Sequence, residues 1–199
     1  MRVFLAGASG VIGRHLVPML IEAGHEVAGT TRSPAKVTSI AEQGAEPVVV
    51  DVYDTGALTD AVVSFAPEVI LHELTDLPDD PERLPDYAVA NSRIRIEGTS
   101  NLIAAARAAG ASRFLAQSLA WELPPGAGAD GVAALERMVT DFPGTVLRYG
   151  QFYGPGTFHP EIAPNEPRVS VETAARHTVE ALEQPPGILV ITDGGMVRL

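Results

Sequence analysis

Three glycines recur at i, i+3 and i+6, as Gly7, Gly10 and Gly13, directly after the apolar run Val3-Phe4-Leu5-Ala6. From Val11 onward the apolar spacing turns helical, through Ile12, Leu16 and Leu20. A strand that ends in glycines and restarts as a helix aims free backbone N–H groups and the positive end of the helix dipole at one point, an anion site suited to a pyrophosphate. Gly7 would permit the tight turn, Gly10 the close approach of a phosphate, and Gly13 the packing of helix on strand. Gly7, Ser9, Gly10, Val11, Ile12 and Gly13 are therefore the expected pyrophosphate-binding segment, with a purely structural turn as the competing reading.

The end of the second strand selects the cofactor in such a unit: a carboxylate there bonds the ribose hydroxyl of NAD, a basic residue the extra phosphate of NADP. Here it reads Thr30-Thr31-Arg32-Ser33, with no acid, so NADP(H) is expected ahead of NAD(H). Arg32 would pair with the phosphate and the hydroxyls of Thr31 and Ser33 would add hydrogen bonds. Asp51, followed by Val52, falls where a side chain meets the adenine edge, or else closes a turn.

Other residues able to do chemistry lie further on. Glu73, beside His72, is a candidate general base near the cofactor, with a salt-bridged or solvated glutamate as the alternative. Tyr149 and Tyr153 flank the end of a late strand, and either is a candidate proton donor; packing under a loop is the alternative. Trp121 either covers a pocket or fills core. His159 and Glu161 supply too few ligands for a metal, and none is expected.

Composition narrows the field. A length of 199 residues suits one domain with a full core. The net charge of −11 would repel nucleic acid and anionic membrane, so neither is expected as a partner. The chain lacks cysteine, which removes disulfides and thiolate metal sites. No apolar run reaches membrane-spanning length and the first strand begins at once, which predicts a cytoplasmic protein without a signal peptide.

The elements that must position these residues alternate. Strands are expected over 3–6, 25–32, 45–51, 68–72, 113–118, 145–149 and 187–192, and helices over 12–23, 34–42, 55–65, 87–109, 131–142 and 171–183. Residues 76–85, 124–129 and 151–167 read as loops. Alternation of this kind means parallel strands joined by right-handed crossovers. The expected fold is α/β, one doubly wound, Rossmann-like parallel sheet with helices on both faces, forming a single domain over residues 1–199 with a much reduced substrate region at 151–168.

With these pieces in order, the chain resembles the extended short-chain dehydrogenase/reductase superfamily, in its NAD-dependent epimerase/dehydratase branch. The segments are Gly7–Gly13, Asp51-Val52, Val69–His72, Glu97–Ala106, Arg113–Ser118, Leu147–Gly156 and Val169–Arg176. The resemblance implies that Leu74 and Thr75 line the cofactor, and that Ser118 faces a substrate carbonyl or hydroxyl. It also implies a Tyr-x-x-x-Lys pair for proton transfer. That pair is absent: counting from Glu136, its positions fall on Gly128 and Val132, and the only lysine of the chain is Lys36. Arg95 replaces the asparagine usual before the Gly-Thr of the long helix, although Asn91 lies one turn earlier, and the usual substrate lobe is cut to Thr157–Arg168. Three functions follow as expectations: an NADP(H)-dependent oxidoreductase or epimerase-like enzyme acting on a small carbonyl or hydroxyl compound, a repurposed lyase, isomerase or cyclase, or a dinucleotide sensor. The family implies pairing through long helices, so a homodimer is a further expectation.

Overall fold

The computed structural model describes residues 1–78 and 80–199. Five parallel strands, β1 (Arg2–Ala6), β2 (Glu26–Thr31), β3 (Glu46–Val49), β4 (Val69–His72) and β5 (Arg113–Leu119), make one half of the main sheet and its centre. The sheet is extended by β6 (Thr145–Tyr149), β9 (Gly187–Thr192) and β10 (Gly195–Arg198), the last pair enclosing a turn. A separate ribbon pairs β7 (Gln151–Tyr153) with β8 (Arg168–Ser170) in parallel. The eight-stranded order is β10-β9-β6-β5-β4-β1-β2-β3. The chain reverses direction across the sheet between β1 and β4, so a crevice opens at their C-terminal ends, where ligands of such sheets bind.

The strands β1, β4 and β5 are covered on both sides, and their near-continuous apolar runs reflect it. Odd-numbered residues Val3, Leu5, Val69, Leu71 and Leu115 meet helices α1 (Gly13–Glu22) and α7 (Val171–Ala181). Even-numbered Phe4, Ile70, Phe114 and Ala116 meet the other layer, built from α3 (Thr55–Phe65), α5 (Thr99–Ala109) and α6 (Ala127–Asp141). The short α2 (Val37–Glu42) buries Ile40 in the first of these layers. Side-chain caps fix two helix starts: Asp54 accepts from Ala57 N–H before α3, and Ser170 accepts from Thr173 N–H before α7.

The sheet is mixed and mostly parallel. Its one antiparallel pair comes from β10, which the expected wholly parallel sheet lacks: a two-residue turn at Asp193-Gly194 lets residues 195–198 fold back on β9. The helix expected over 87–109 is three pieces, α4 (Ala88–Arg93), a π turn over Ile94–Gly98, and α5. Residues 127–129, expected in a loop, begin α6, because helix packing outweighs the weak propensity of Gly126–Gly131. Gly131 lets α6 approach α4 closely: a Cβ there would lie 2.8 Å from Ser92 Oγ. Residues 151–153, expected to be irregular, form β7. Among the described residues no helix is long and apolar enough to cross a membrane.

Candidate cofactor crevice and reaction site

The glycine segment closes the crevice at β1. Gly7 adopts φ +102°, which disfavours any side chain, and a Cβ on it would lie 3.0 Å from the Glu73 carbonyl oxygen at the end of β4. A Cβ on Gly10 would lie 3.2 Å from the Gly7 carbonyl. A Cβ on Gly13 would collide with that same carbonyl, so Gly13 packs α1 against the loop rather than against the strand that the sequence suggested. No side chain caps α1, and among the described residues the N–H groups of Val11 and Ile12 have no acceptor. Backbone held this close, with free amides at a helix start, fits a pyrophosphate.

Hydroxyls tie the loop to β2. Gly7 N–H donates to Thr30 Oγ1 at 3.1 Å, and Ser9 Oγ donates to Thr31 Oγ1 at 3.2 Å. Thr31 Oγ1 also accepts from Ser33 N–H at 3.1 Å, which leaves its own hydrogen to give away. Arg32 is exposed and lies 3.6 Å from Asp76, bridging the crevice from β2 to the loop after β4. Asp51 Oδ1 accepts from Tyr53 N–H at 3.0 Å, closing the turn, which leaves Oδ2 for an adenine edge. Val52 is buried behind it, beside Gly98 of the π turn, and its carbonyl accepts from Asn101 Nδ2 at 3.0 Å.

The loop after β4 is fixed from both sides. Leu74 N–H donates to His72 Nδ1 at 3.2 Å, and Asp76 N–H to Asn91 Oδ1 at 3.0 Å. Leu74 packs toward Gly7, and Leu74 and Thr75 are both half-buried along the crevice. His72 Nε2 sits 3.0 Å from Thr99 Oγ1. Burial, reinforced by the charge of Arg95, pushes its pKa down to about 3, so the imidazole is neutral.

Ser118 and Tyr149, singled out together, face opposite sides of the sheet. Ser118 points toward α6, where its hydroxyl donates to Glu136 Oε1 at 2.6 Å. Glu136 is clamped by Arg148 of β6, with Nε to Oε1 at 2.8 Å and Nη2 to Oε2 at 2.5 Å. Burial pushes the Glu136 pKa up, but the bonds from Arg148 and Ser118 and the charges of Arg148 and Arg95 outweigh it, and the carboxyl stays below its ordinary range. Arg95 is buried beside this group.

Glu73 and Tyr149 do meet, on the α7 side. The Tyr149 hydroxyl is 3.1 Å from Glu73 Oε1 and 2.6 Å from Thr178 Oγ1, and Thr178 donates to the Ala174 carbonyl at 2.7 Å. Burial raises Glu73 to about 8, against a smaller opposing pull from its bond with Tyr149, and among the described residues Oε2 has no partner. Burial also raises Tyr149, with the charge of Glu73 adding to it. The Tyr149 hydroxyl donates to Glu73 Oε1 and makes a short contact with Thr178, whose own hydrogen goes to the Ala174 carbonyl. The group is a buried polar chain facing away from Ser118.

Remaining candidates fall outside this centre. Tyr153 donates to Asp193 at 3.2 Å on the surface, and Trp121 is half-buried just past β5. His159 takes part in a turn through its backbone, donating N–H to Thr157 Oγ1 at 3.1 Å. Among the described residues no three His, Cys, Asp or Glu side chains are grouped to hold a metal. The Pro155 carbonyl accepts from Arg14, the residue following Gly13, at 3.4 Å, so the shortened substrate-side loop folds over the start of α1. Sequence reasoning passed over Arg148, Thr178 and Thr30. Strand alternation held the signal for Arg148, a charge on the face that β6 turns toward α6.

A sheet reversed between β1 and β4, with a glycine cradle at that reversal, defines a dinucleotide-binding α/β protein. Residues 7–129 match the NAD(P)H-binding family. The chain is 40% identical over 183 residues to 3-diazoavenalumate denitrifying reductase of Streptomyces sp, covering 79% of this chain and 58% of that protein. It is 32% identical over 116 residues to 3-beta-hydroxysteroid dehydrogenase of Mycolicibacterium neoaurum, covering 57% and 31%. The chain thus spans well under two thirds of the length of these curated relatives. The fold matches UDP-glucose 4-epimerase of Thermus thermophilus, solved with NAD, at a TM-score of 0.81 and 22% identity, over 100% of this chain and 79% of that one. The protein belongs to the NAD(P)H-binding family, its sequence is similar to a reductase and a dehydrogenase, and its fold is that of a UDP-glucose 4-epimerase.

Proposed function

We propose that this protein is an NADPH-dependent reductase whose hydride acceptor is a small electron-poor molecule, a diazo compound in preference to a carbonyl. The observation that carries the reading is the bond from Ser118 to Glu136. The Ser118 hydrogen is given to an ionised carboxylate, so the oxygen meets a ligand with lone pairs only. A carbonyl oxygen that gains charge during reduction needs donors.

The proton balance agrees. On α6, Gly128 and Val132 occupy the positions where the resemblance expects tyrosine and lysine, and the acid beside Ser118 is held ionised. When bound, NADPH supplies a hydride, and for an arenediazonium ArN2+ + NADPH → ArH + N2 + NADP+ balances with no further proton. A carbonyl would require one more, delivered by an acid. The 40% identity to a denitrifying reductase of a diazo compound supports the same class. Arg32, the free hydrogen of Thr31 and Ser33 support NADPH over NADH.

The test is incubation of the protein with an arenediazonium and NADPH deuterated at the transferred position. Expected are loss of nicotinamide absorbance, release of N2 and deuterium in the arene. NADPH binding without turnover would replace this reading with a dinucleotide sensor, and absence of NADPH binding with a repurposed, non-redox scaffold.

A further inference from the structure

Arg95 lies in the π turn between α4 and α5 and is 4% exposed, yet among the described residues its guanidinium makes no hydrogen bond and no ion pair. A buried guanidinium without a partner is costly, because none of its five donors is repaid for lost water. Among the described residues the side-chain atoms cut off both from solvent and from any partner are Gln43 Oε1, Tyr53 Oη and Glu73 Oε2, and none belongs to Arg95. Its head therefore keeps only a small solvent contact, within range of His72 at the end of β4 and of Glu136.

The neighbours do not answer this charge. Glu136 is the acid whose charge Arg95 feels, and both its oxygens are taken by Ser118 and Arg148. His72, on the other side, is neutral with both ring nitrogens engaged. Arg95 and Arg148 against Glu136 leave one positive charge in excess beside Ser118. The pyrophosphate does not call for it, since the glycine segment and the start of α1 serve that group.

We propose that Arg95 anchors a carboxylate of the substrate. One excess charge matches a monoanion better than a phosphate dianion, and the planar fork of arginine fits a carboxylate with two parallel bonds. The substrate class is then a carboxylic acid carrying the electron-poor reducible group. This rests on the reading of Ser118 as the reaction site.

The test is calorimetric titration of the NADP+-saturated protein with benzoate and cinnamate, and with their amides. In the parent protein the acids should bind at least tenfold more tightly than the amides. Arg95→Gln should weaken acid binding at least tenfold and leave amide and NADP+ affinity within twofold, and Arg95→Lys should restore part of the acid binding. Equal binding of acids and amides to the parent would overturn the proposal, as would unchanged acid binding by R95Q or a parallel loss of NADP+ affinity. Should R95Q fail to fold, the parent's acid–amide ratio and R95K decide. Acid selectivity through Arg95 without diazonium turnover would remove the reductase reading and leave the anchor standing.

Discussion

Ser118 Oγ and Glu136 Oε1 are 2.6 Å apart, and the same carboxylate is forked by Arg148, so β5, β6 and α6 are locked together at the end of the sheet. Glu136→Gln should therefore act twice. Loss of the anion leaves a partly buried Arg148 uncompensated, which should cost about 1–3 kcal/mol in denaturant unfolding. It also removes the negative charge behind Ser118, so diazonium turnover should fall at least tenfold, while NADPH titration stays within twofold of the parent.

The Arg32–Asp76 pair spans the route to the adenosine phosphate at 3.6 Å. Binding of NADPH must draw Arg32 away from Asp76. Asp76→Asn should then raise NADPH affinity severalfold, and Arg32→Ala should lower it by about 1 kcal/mol, a moderate figure for so exposed a side chain. The double variant should match Arg32→Ala, and NADH affinity should respond much less; fluorescence titration reads all of them.

Gly13→Ala drives a methyl into the Gly7 carbonyl. The loop has to shift, so NADPH affinity should fall at least tenfold, with about 1–3 kcal/mol lost in stability from the overpacking. Gly24, whose added Cβ meets nothing within 4 Å, has φ +82° and serves as the contrast: Gly24→Asn should leave NADPH affinity unchanged.

Stability should pass through a plateau in pH. Glu73 holds its proton up to about 8 in the folded protein against an ordinary 4.5, so its contribution is full below 4.5 and is lost as pH rises toward 8. His72 resists protonation down to about 3 against 6.5, so its contribution is full above 6.5 and is lost as pH falls toward 3. The opposite slopes offset each other between 4.5 and 6.5. Glu73→Gln should remove the alkaline decline, worth on the order of 1 kcal/mol per pH unit, and thermal melts of both proteins across pH measure it.

The glycine segment and the alternation of strands with helices were legible because each is a local pattern. The partners of the singled-out residues were not. Ser118, Glu73 and Tyr149 stand out in the sequence as residue types, but which sheet face each joins depends on strand register, and register assigns Ser118 to Glu136 and Tyr149 to Thr178. Likewise β10 carries no strong strand pattern of its own and forms by pairing with β9. Arg95 was visible as a departure from the family's asparagine; its isolation was not, because it depends on Glu136 being taken by Arg148.

The π turn at Ile94–Gly98 sets the rotation of the helix that precedes it. A π turn is an α-helix carrying one surplus residue, so deleting any one of these five would restore an unbroken helix and rotate everything before it by about 100°. Asn91 would leave Asp76, and Ser92 would leave Gly131. The surplus residue thus sets the rotation of α4, and a one-residue deletion within 94–98 should release both contacts together.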